Sequence, residues 1–180
     1  MDKPKVKIDK FEQTIDLSEF ADIDWSQEIA LKNAIGQAVI DKIVERTESG
    51  LAFGGGKLKS PYSDTYAKSL EFKAAGKKKN KVNMTLTGDM LASVDILKLG
   101  DETLTIGIGD DSQIPKAFNH QTGDTVPRRP WFGITKSEMR EIIDGFKSDI
   151  QFAQDNPGEI DSNKTVQKKL DLLSEDENAD

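Results

Sequence analysis

The ten residues from 126 to 135 constrain the fold of this chain more tightly than any other segment. Pro127 and Pro130 each hold φ at about −65° and push the preceding residue out of the helical region. The backbone must therefore run extended through Arg128 and Arg129, and a helix is excluded there. We call residues 126–135 the strap.

The strap is predicted to lead directly into a helix. Gly133 permits a sharp change of direction, and Thr135 followed by Glu138 three residues later is the pattern of a capping box. Apolar side chains then recur at helical spacing and predict one amphipathic helix at the end of the body. They are Met139, Ile142, Ile143, Phe146, Ile150 and Ala153.

Composition limits the chemistry that is available to the chain. With 180 residues, 36% of them hydrophobic, and a mean hydropathy of −0.57, we expect one soluble domain with terminal extensions. No apolar run is long enough for a membrane span, and the N-terminus lacks the apolar core of a signal peptide. The absence of cysteine excludes disulfides and thiolate metal sites, and the single histidine, His120, excludes a multi-histidine metal cluster. We therefore expect no cofactor and no metal.

The charge of the chain is unevenly distributed. A net charge of −7 argues against a general nucleic-acid binder. Residues 155–180 contain eight acidic residues and three lysines, and this net charge of −5 predicts a flexible acidic tail. The basic charge of the body is concentrated in one loop, which either faces DNA or is a solvated charge run. Its lysines are Lys77, Lys78, Lys79 and Lys81.

The N-terminal half predicts an arm followed by a long helix. Residues 1–24 have a weak apolar pattern that favours either an edge strand or a loose arm. From Trp25 to about Arg46 apolar side chains recur every four residues, and Asp24 is placed to cap the helix. The apolar surface of this helix extends to Ala30, Ile40 and Val44. It faces either another subunit or the interior of its own domain.

A hairpin is predicted near the middle of the chain. Leu104, Ile106 and Ile108 alternate with small or polar residues, which predicts a strand with one buried face. Gly100 and Asp101 form the turn that connects it to an earlier apolar run. On the other face, Gly107 and Gly109 leave room for a bulge, a packed helix or a ligand.

Shorter elements occupy the connections. Ser60 and Pro61 predict the start of a helix with Tyr62, Tyr66 and Leu70 along one side, and Pro115 begins another that ends at Gly123. Residues 54–57, Gly-Gly-Gly-Lys, lack the other residues of a phosphate-binding loop and predict a turn.

Together these elements predict an α+β domain over residues 25–154. A small antiparallel sheet packs against the long N-terminal helix and the amphipathic C-terminal helix, with short helices in the connections. Residues 1–24 are the arm, and residues 155–180 are the acidic tail.

Three stretches, in this order, resemble the tailed-phage virion morphogenesis family, whose tail-completion or neck proteins join head to tail. They are residues 86–94, which begin Leu-Thr-Gly, residues 117–123 with His120, and the strap from Pro127 to Gly133; residues 61–68 are also similar to the start of a helix in that family. Lys116 and Thr122 stand where the family has aromatic residues.

The resemblance implies a non-catalytic α+β subunit that assembles into a ring, expected to be a hexamer, between the portal or stopper and the tail tube. The expected partners are further copies of the chain, the portal or stopper, the tail-tube or tail-terminator proteins and, weakly, genomic DNA, with no membrane. The expected location is the virion neck, after assembly in the host cytoplasm.

We expect the subunit or partner interface to include Arg128, Arg129, Trp131, Phe132 and His120. A guanidinium pairs well with a carboxylate, either of a neighbouring subunit or within the chain. Trp131 and Phe132 point to opposite sides of an extended segment, so one is predicted to enter the core while the other contacts a partner. His120 is either an interface residue or a hydrogen-bonded structural residue.

The alternative function is a metal-dependent nuclease that uses Asp110, Asp111 and His120, or a DNA-contacting module based on the lysine loop. The two carboxylates follow a strand end, where metal ligands occur, although Asp-Asp-Ser is also an ordinary turn sequence.

Overall fold

The protein is described by a computed structural model that covers residues 10–59, 61–84 and 88–156. Within these ranges it forms a three-stranded antiparallel sheet and seven α-helices, which is the α+β class expected from the sequence. The elements are β1 Glu12–Asp16, α1 Ile29–Glu48, α2 Asp64–Ala67, α3 Leu70–Ala74, α4 Asp89–Ala92, β2 Val94–Leu99, β3 Thr103–Ile108, a 3-10 turn Asp111–Gln113, α5 Ile114–Thr122, α6 Lys136–Gly145 and α7 Lys147–Asp155.

The sheet has the order β1-β3-β2. The predicted hairpin of β2 and β3 is confirmed, and its turn is closed by the Gly100 N–H, which donates to the Thr103 carbonyl at 2.8 Å. β1 pairs with β3 in a register that places Glu12 opposite Gly107. The described part of the predicted arm therefore contributes an edge strand, which is one of the two alternatives that the sequence left open.

Helix α1 packs closely on the sheet because residue 36 is glycine. A Cβ atom at Gly36 would lie 2.5 Å from the Ile96 Cδ1 atom and 3.2 Å from the Leu104 Cδ1 atom. Ile40 is buried and Val44 packs half-buried against the core. The broad apolar surface of α1 is therefore largely covered by its own domain, while Ala30 is half-buried.

The start of α1 differs from the prediction. The Asp24 carboxylate accepts a hydrogen bond from the Ser26 N–H at 3.1 Å, which stabilises a tight turn instead of capping a helix. Trp25 is fully buried ahead of the helix, and Glu28 takes the N-cap position without a side-chain cap. The helix consequently begins at Ile29.

The predicted C-terminal helix is two helices. α6 begins with the predicted capping box: the Glu138 N–H donates to Thr135 Oγ1 at 3.2 Å, and Glu138 Oε2 accepts from the Thr135 N–H at 2.9 Å. Phe146, with φ −100° and ψ 9°, separates α6 from α7. Ile143 and Ile150 on either side of this break are both buried, so the apolar periodicity continues although the helix does not.

The short helices α2 and α3 begin at other residues than the sequence predicted. Ser63 and Ser69 cap α2 and α3, whereas the predicted cap, Ser60, lies outside the described residues. Tyr62 and Tyr66 pack with Phe72, while Leu70 is 81% exposed. Pro115 and the left-handed Gly123, with φ 81°, confirm the predicted start and end of α5.

Two of the predicted features depend on glycine residues, the turn at residues 54–57 and the open face of β3 at Gly107. Residues 54–56 form the predicted turn between Leu51 and Lys57. The space over Gly107 is filled by the Leu97 side chain and by the backbone before β1.

Leu86, Thr87, residues 1–9 and residues 157–180 lie outside the described part of the chain. No helix in the described ranges has the length and apolar character needed to cross a membrane.

We predict that Gly36→Val lowers the free energy of unfolding by about 1–3 kcal/mol, because the added side chain overpacks the contact with Ile96. Gly145→Val is the matched control, because beyond its chain neighbours and the backbone of its own helix no atom lies within 4 Å of its Cβ position. We expect it to change stability by less than about 0.5 kcal/mol in urea unfolding. Equal losses in the two variants would contradict close packing of α1 on the sheet.

Candidate functional site around the strap

Most of the strap is internal, although Pro127 and Arg128 are exposed. Arg129 is 3% exposed, Trp131 is fully buried and Phe132 is 7% exposed. Residues 126–135 form no strand of the sheet, so their buried N–H and C=O groups need partners outside the strand ladder. Side chains from three other elements supply most of those partners.

Two glutamine side chains form hydrogen bonds with the strap backbone, as a neighbouring strand would do in a sheet. The Gln13 amide on β1 accepts from the Ile134 N–H at 2.9 Å and donates to the Ile134 carbonyl at 3.2 Å. On α5, Gln121 Oε1 accepts from the N–H groups of Trp131 at 3.0 Å and Phe132 at 3.2 Å. An amide side chain can do this because it carries both a donor and an acceptor.

Arg46, near the C-terminus of α1, connects the strap to α6. Its Nη2 donates to the carbonyls of Trp131 and Gly133, each at 2.8 Å, and its Nη1 lies 2.6 Å from Glu138 Oε1. Burial opposes ionisation of Glu138, but hydrogen bonds from the Thr135 N–H and from Arg46 outweigh it and lower the pKa of Glu138. The capping carboxylate of α6 is therefore also the counter-ion of Arg46.

Arg129 is held inside the chain by aromatic and carbonyl groups. Its Cζ lies 5.2 Å from the centre of the Tyr62 ring, and its Nη2 donates to the Pro61 carbonyl at 3.4 Å. Its backbone N–H donates to the His120 carbonyl at 2.7 Å. The side chain of Arg129 is therefore covered by groups of its own chain, which corresponds to the within-chain alternative that the sequence left open.

His120 lies beside this guanidinium. Arg129 Nη1 is 3.5 Å from His120 Nδ1, and a guanidinium can only donate, so Nδ1 accepts and the neutral ring carries its proton on Nε2. Burial, followed by the charges of Arg129 and Lys116, lowers the pKa of His120 to about 4. The imidazole is therefore uncharged at neutral pH and has a structural partner.

Both aromatic residues of the strap are buried, which corrects the prediction that one would be available to a partner. Phe11, just before β1, supplies the second apolar surface. Its ring centre lies 6.1 Å from that of Trp131 and 4.8 Å from that of Phe132. The sequence could not indicate this contact because Phe11 is over 100 residues away along the chain.

Two exposed apolar side chains lie in the loop that leads into the predicted turn at residues 54–57. Phe53 is 38% exposed and Leu51 is 39% exposed. The Phe53 N–H donates to the Pro130 carbonyl at 2.9 Å, and its ring lies 3.0 Å from the position that a Cβ at Gly133 would occupy. Gly133, with φ 120°, therefore allows this ring to approach the strap. Arg128, two residues before Pro130, is also exposed.

The candidate nuclease residues have other structural partners. The Asp110 carboxylate accepts from the Ser112 N–H at 2.8 Å, and hydrogen bonds from Ser112 lower the pKa of Asp110. Asp111 is exposed in the same turn, while His120 is on the last turn of α5 beside Arg129. Across residues 10–59, 61–84 and 88–156 there is no group of three or more histidine, cysteine or acidic side chains that could hold a metal.

The predicted DNA-facing lysines differ in their surroundings. Lys77 Nζ lies 5.4 Å from the centre of the Tyr62 ring, and Lys79 Nζ forms an exposed ion pair with Asp64 at 2.7 Å. Lys78 and Lys81 are exposed. The loop is therefore partly tied to α2, and the prediction that it faces DNA stays a prediction.

Comparison of the chain with protein-family models, with curated proteins and with solved structures found no match.

We predict that Arg46→Ala lowers the free energy of unfolding by about 3–5 kcal/mol, because it leaves Glu138 and two strap carbonyls without their buried partner. Lys42→Ala is the matched control. Its ion pair with Glu141, at 3.5 Å, joins the same two helices but is exposed. It should cost less than about 1 kcal/mol in chemical denaturation. A loss of that small size for Arg46→Ala would show that the strap is held in another way.

We predict that His120 makes the fold less stable as the pH falls. Its folded pKa is about 4, below its unfolded value of about 6.5, so the unfolded state takes up the proton first. Above pH ~6.5 the titration of His120 does not change the free energy of unfolding, and below it that free energy decreases as the pH falls towards 4. Urea unfolding at pH 7.5 and 5.0 should show a smaller pH dependence for His120→Gln than for the unaltered protein. The same pH dependence in both proteins would contradict a depressed pKa.

Proposed function

We propose that this protein is a non-catalytic structural subunit of the tailed-phage neck, and that it assembles into a ring between the portal or stopper and the tail tube. The observation that carries the assignment is the order of three stretches: the Leu-Thr-Gly segment at 86–94, residues 117–123 with His120, and the strap. The structure supports a common role for the second and third stretches, because Gln121 and His120 bond directly to strap residues.

The role as an assembly subunit is supported by a rigid apolar edge formed by Leu51 and Phe53. Both side chains are more than a third exposed, and Phe53 is anchored to the buried strap through Pro130. An exposed aromatic residue that is already held in place loses little conformational entropy on binding, which suits an interface anchor. A neighbouring subunit or neck protein would bury it.

Arg128 is the charged member of this proposed interface. It is exposed, and the flanking residues 127–130 are stiff because of the two prolines. A guanidinium on such a backbone can pair with a carboxylate of a neighbouring chain at low entropic cost. Arg129, Trp131, Phe132 and His120 would then act indirectly, by holding the strap in position.

We expect the full chain, alone or with its cognate portal or tail-tube partner, to give a ring in native mass spectrometry and in negative-stain microscopy. Phe53→Ser and Arg128→Ala should each reduce the assembled fraction. Arg128→Ala should change the melting temperature by less than about 2 °C, because Arg128 is exposed, whereas Phe53→Ser also removes the contact of the ring with Gly133 and Arg46 and should lower it somewhat more. Leu70→Ser is the matched control, since Leu70 is 81% exposed on α3 and should leave assembly unchanged.

Arg129→Ala separates a direct contact from an internal support. Because Arg129 is buried against Tyr62, we expect it to lower stability by about 1–3 kcal/mol, unlike the neighbouring Arg128→Ala. Monomers that bind no neck protein would contradict the ring. Cleavage of DNA that requires a divalent metal and is lost in Asp110→Asn would contradict a non-catalytic role.

A further inference from the structure

We propose that Lys77, Lys116, His120 and Arg129 form a binding site for a phosphate group, assembled on the Tyr62 side of the strap. The site is contained within one chain, so it does not depend on ring assembly. It differs from a basic loop that attracts anions only by its overall charge, because its members come from three separate segments.

The Tyr62 ring organises the site. Lys77 Nζ, from the loop after α3, lies 5.4 Å from the ring centre, and Arg129 Cζ, from the strap, lies 5.2 Å from it. Tyr62 is itself fixed, because its hydroxyl accepts from the backbone N–H of Met84 at 3.1 Å. Two cations that are 52 residues apart in sequence are therefore held on one aromatic side chain.

Helix α5 adds two further groups. Lys116 and His120 are four residues apart, so they lie on the same side of the helix. His120 Nδ1 is 3.5 Å from Arg129 Nη1, which joins this side of α5 to the strap. Lys116 is exposed, and His120 and Lys77 are partly exposed, so solvent reaches the site while Arg129 lies beneath it.

The electrostatics support an anion as the ligand. Burial, followed by the charge of Lys116, lowers the pKa of Lys77, and burial with Arg129 and Lys116 lowers that of His120. The charge of Lys116 acts on both Lys77 and His120, so an anion placed beside these groups would be attracted by more than one cation. Such an arrangement is typical of a functional site more than of a solvated surface.

The chemistry fits phosphate better than a carboxylate. Phosphate presents several acceptor oxygens to donors arriving from different directions, and lysine ammonium groups bind it as point charges. The neutral His120 keeps an N–H on Nε2, because its Nδ1 is occupied by Arg129. The phosphate would come either from a free anion or from the phosphodiester backbone of DNA.

The first test uses the single histidine as a reporter. In the full chain at pH 7 and low salt, inorganic phosphate and, separately, a short DNA duplex are added while the His120 ring signals are followed by NMR. We expect a saturable shift with at least one of them. Phosphate alone would indicate a small anion, and the duplex at much lower concentration would indicate a nucleic-acid backbone.

The second test compares two double variants that remove the same charge. Lys77→Gln with Lys116→Gln should weaken binding of the duplex roughly tenfold and reduce the slope of log affinity against log salt by about two. Lys78→Gln with Lys81→Gln, the exposed lysines of the same loop, should change affinity less than about twofold. Thermal melting of each variant checks that it folds.

Three outcomes would overturn the site. They are no shift of the His120 signals with either probe, a shift that does not saturate, or equal losses in the two double variants. None of these readouts measures assembly, so the phosphate site and the ring are tested separately.

Discussion

The contact of Arg46 with Glu138 and the strap is the interaction on which the rest of the structure depends. One guanidinium from α1 binds two strap carbonyls and the carboxylate that caps α6. Arg46 and the two carbonyls are buried and Glu138 is partly buried, so each would be costly to leave without a partner. The long helix, the strap and the first C-terminal helix are thereby held in a single arrangement.

Other backbone N–H and C=O groups of the strap also form hydrogen bonds with residues that are distant in the sequence. A segment with two prolines cannot form a regular strand ladder, so polar side chains must replace one. Gln13 and Gln121 do this through their amide groups, and Phe53 adds a backbone donor to Pro130. The strap is thus buried from residue 131 to residue 134 and at Arg129, whereas Arg128 within it, and Leu51 and Phe53 of the preceding loop, are exposed.

Local patterns predicted the α+β class, the β2–β3 hairpin, the capping box at Thr135 and the closure of α5 by Gly123. Each depends on residues that are neighbours in the chain. Two predictions of helix boundaries were wrong. Asp24 stabilises a turn instead of capping α1, and the apolar pattern that predicted one C-terminal helix continues across the break between α6 and α7 at Phe146. At the site the sequence identified the strap but placed only one of Trp131 and Phe132 in the core, whereas both are buried.

The sequence by itself determined that residues 126–135 are extended and stiff and that a capped helix follows, because proline, glycine and capping residues act over a few residues. Only the tertiary structure decided that the strap is buried. That outcome depends on Arg46, Gln13 and Phe11. The hydrogen bond from Arg46 to Trp131 joins residues 85 positions apart, and the one between Gln13 and Ile134 joins residues 121 positions apart. Phe11 stacks on Trp131 from a similar distance along the chain. Burial is a property of such distant contacts, and no local pattern encodes it.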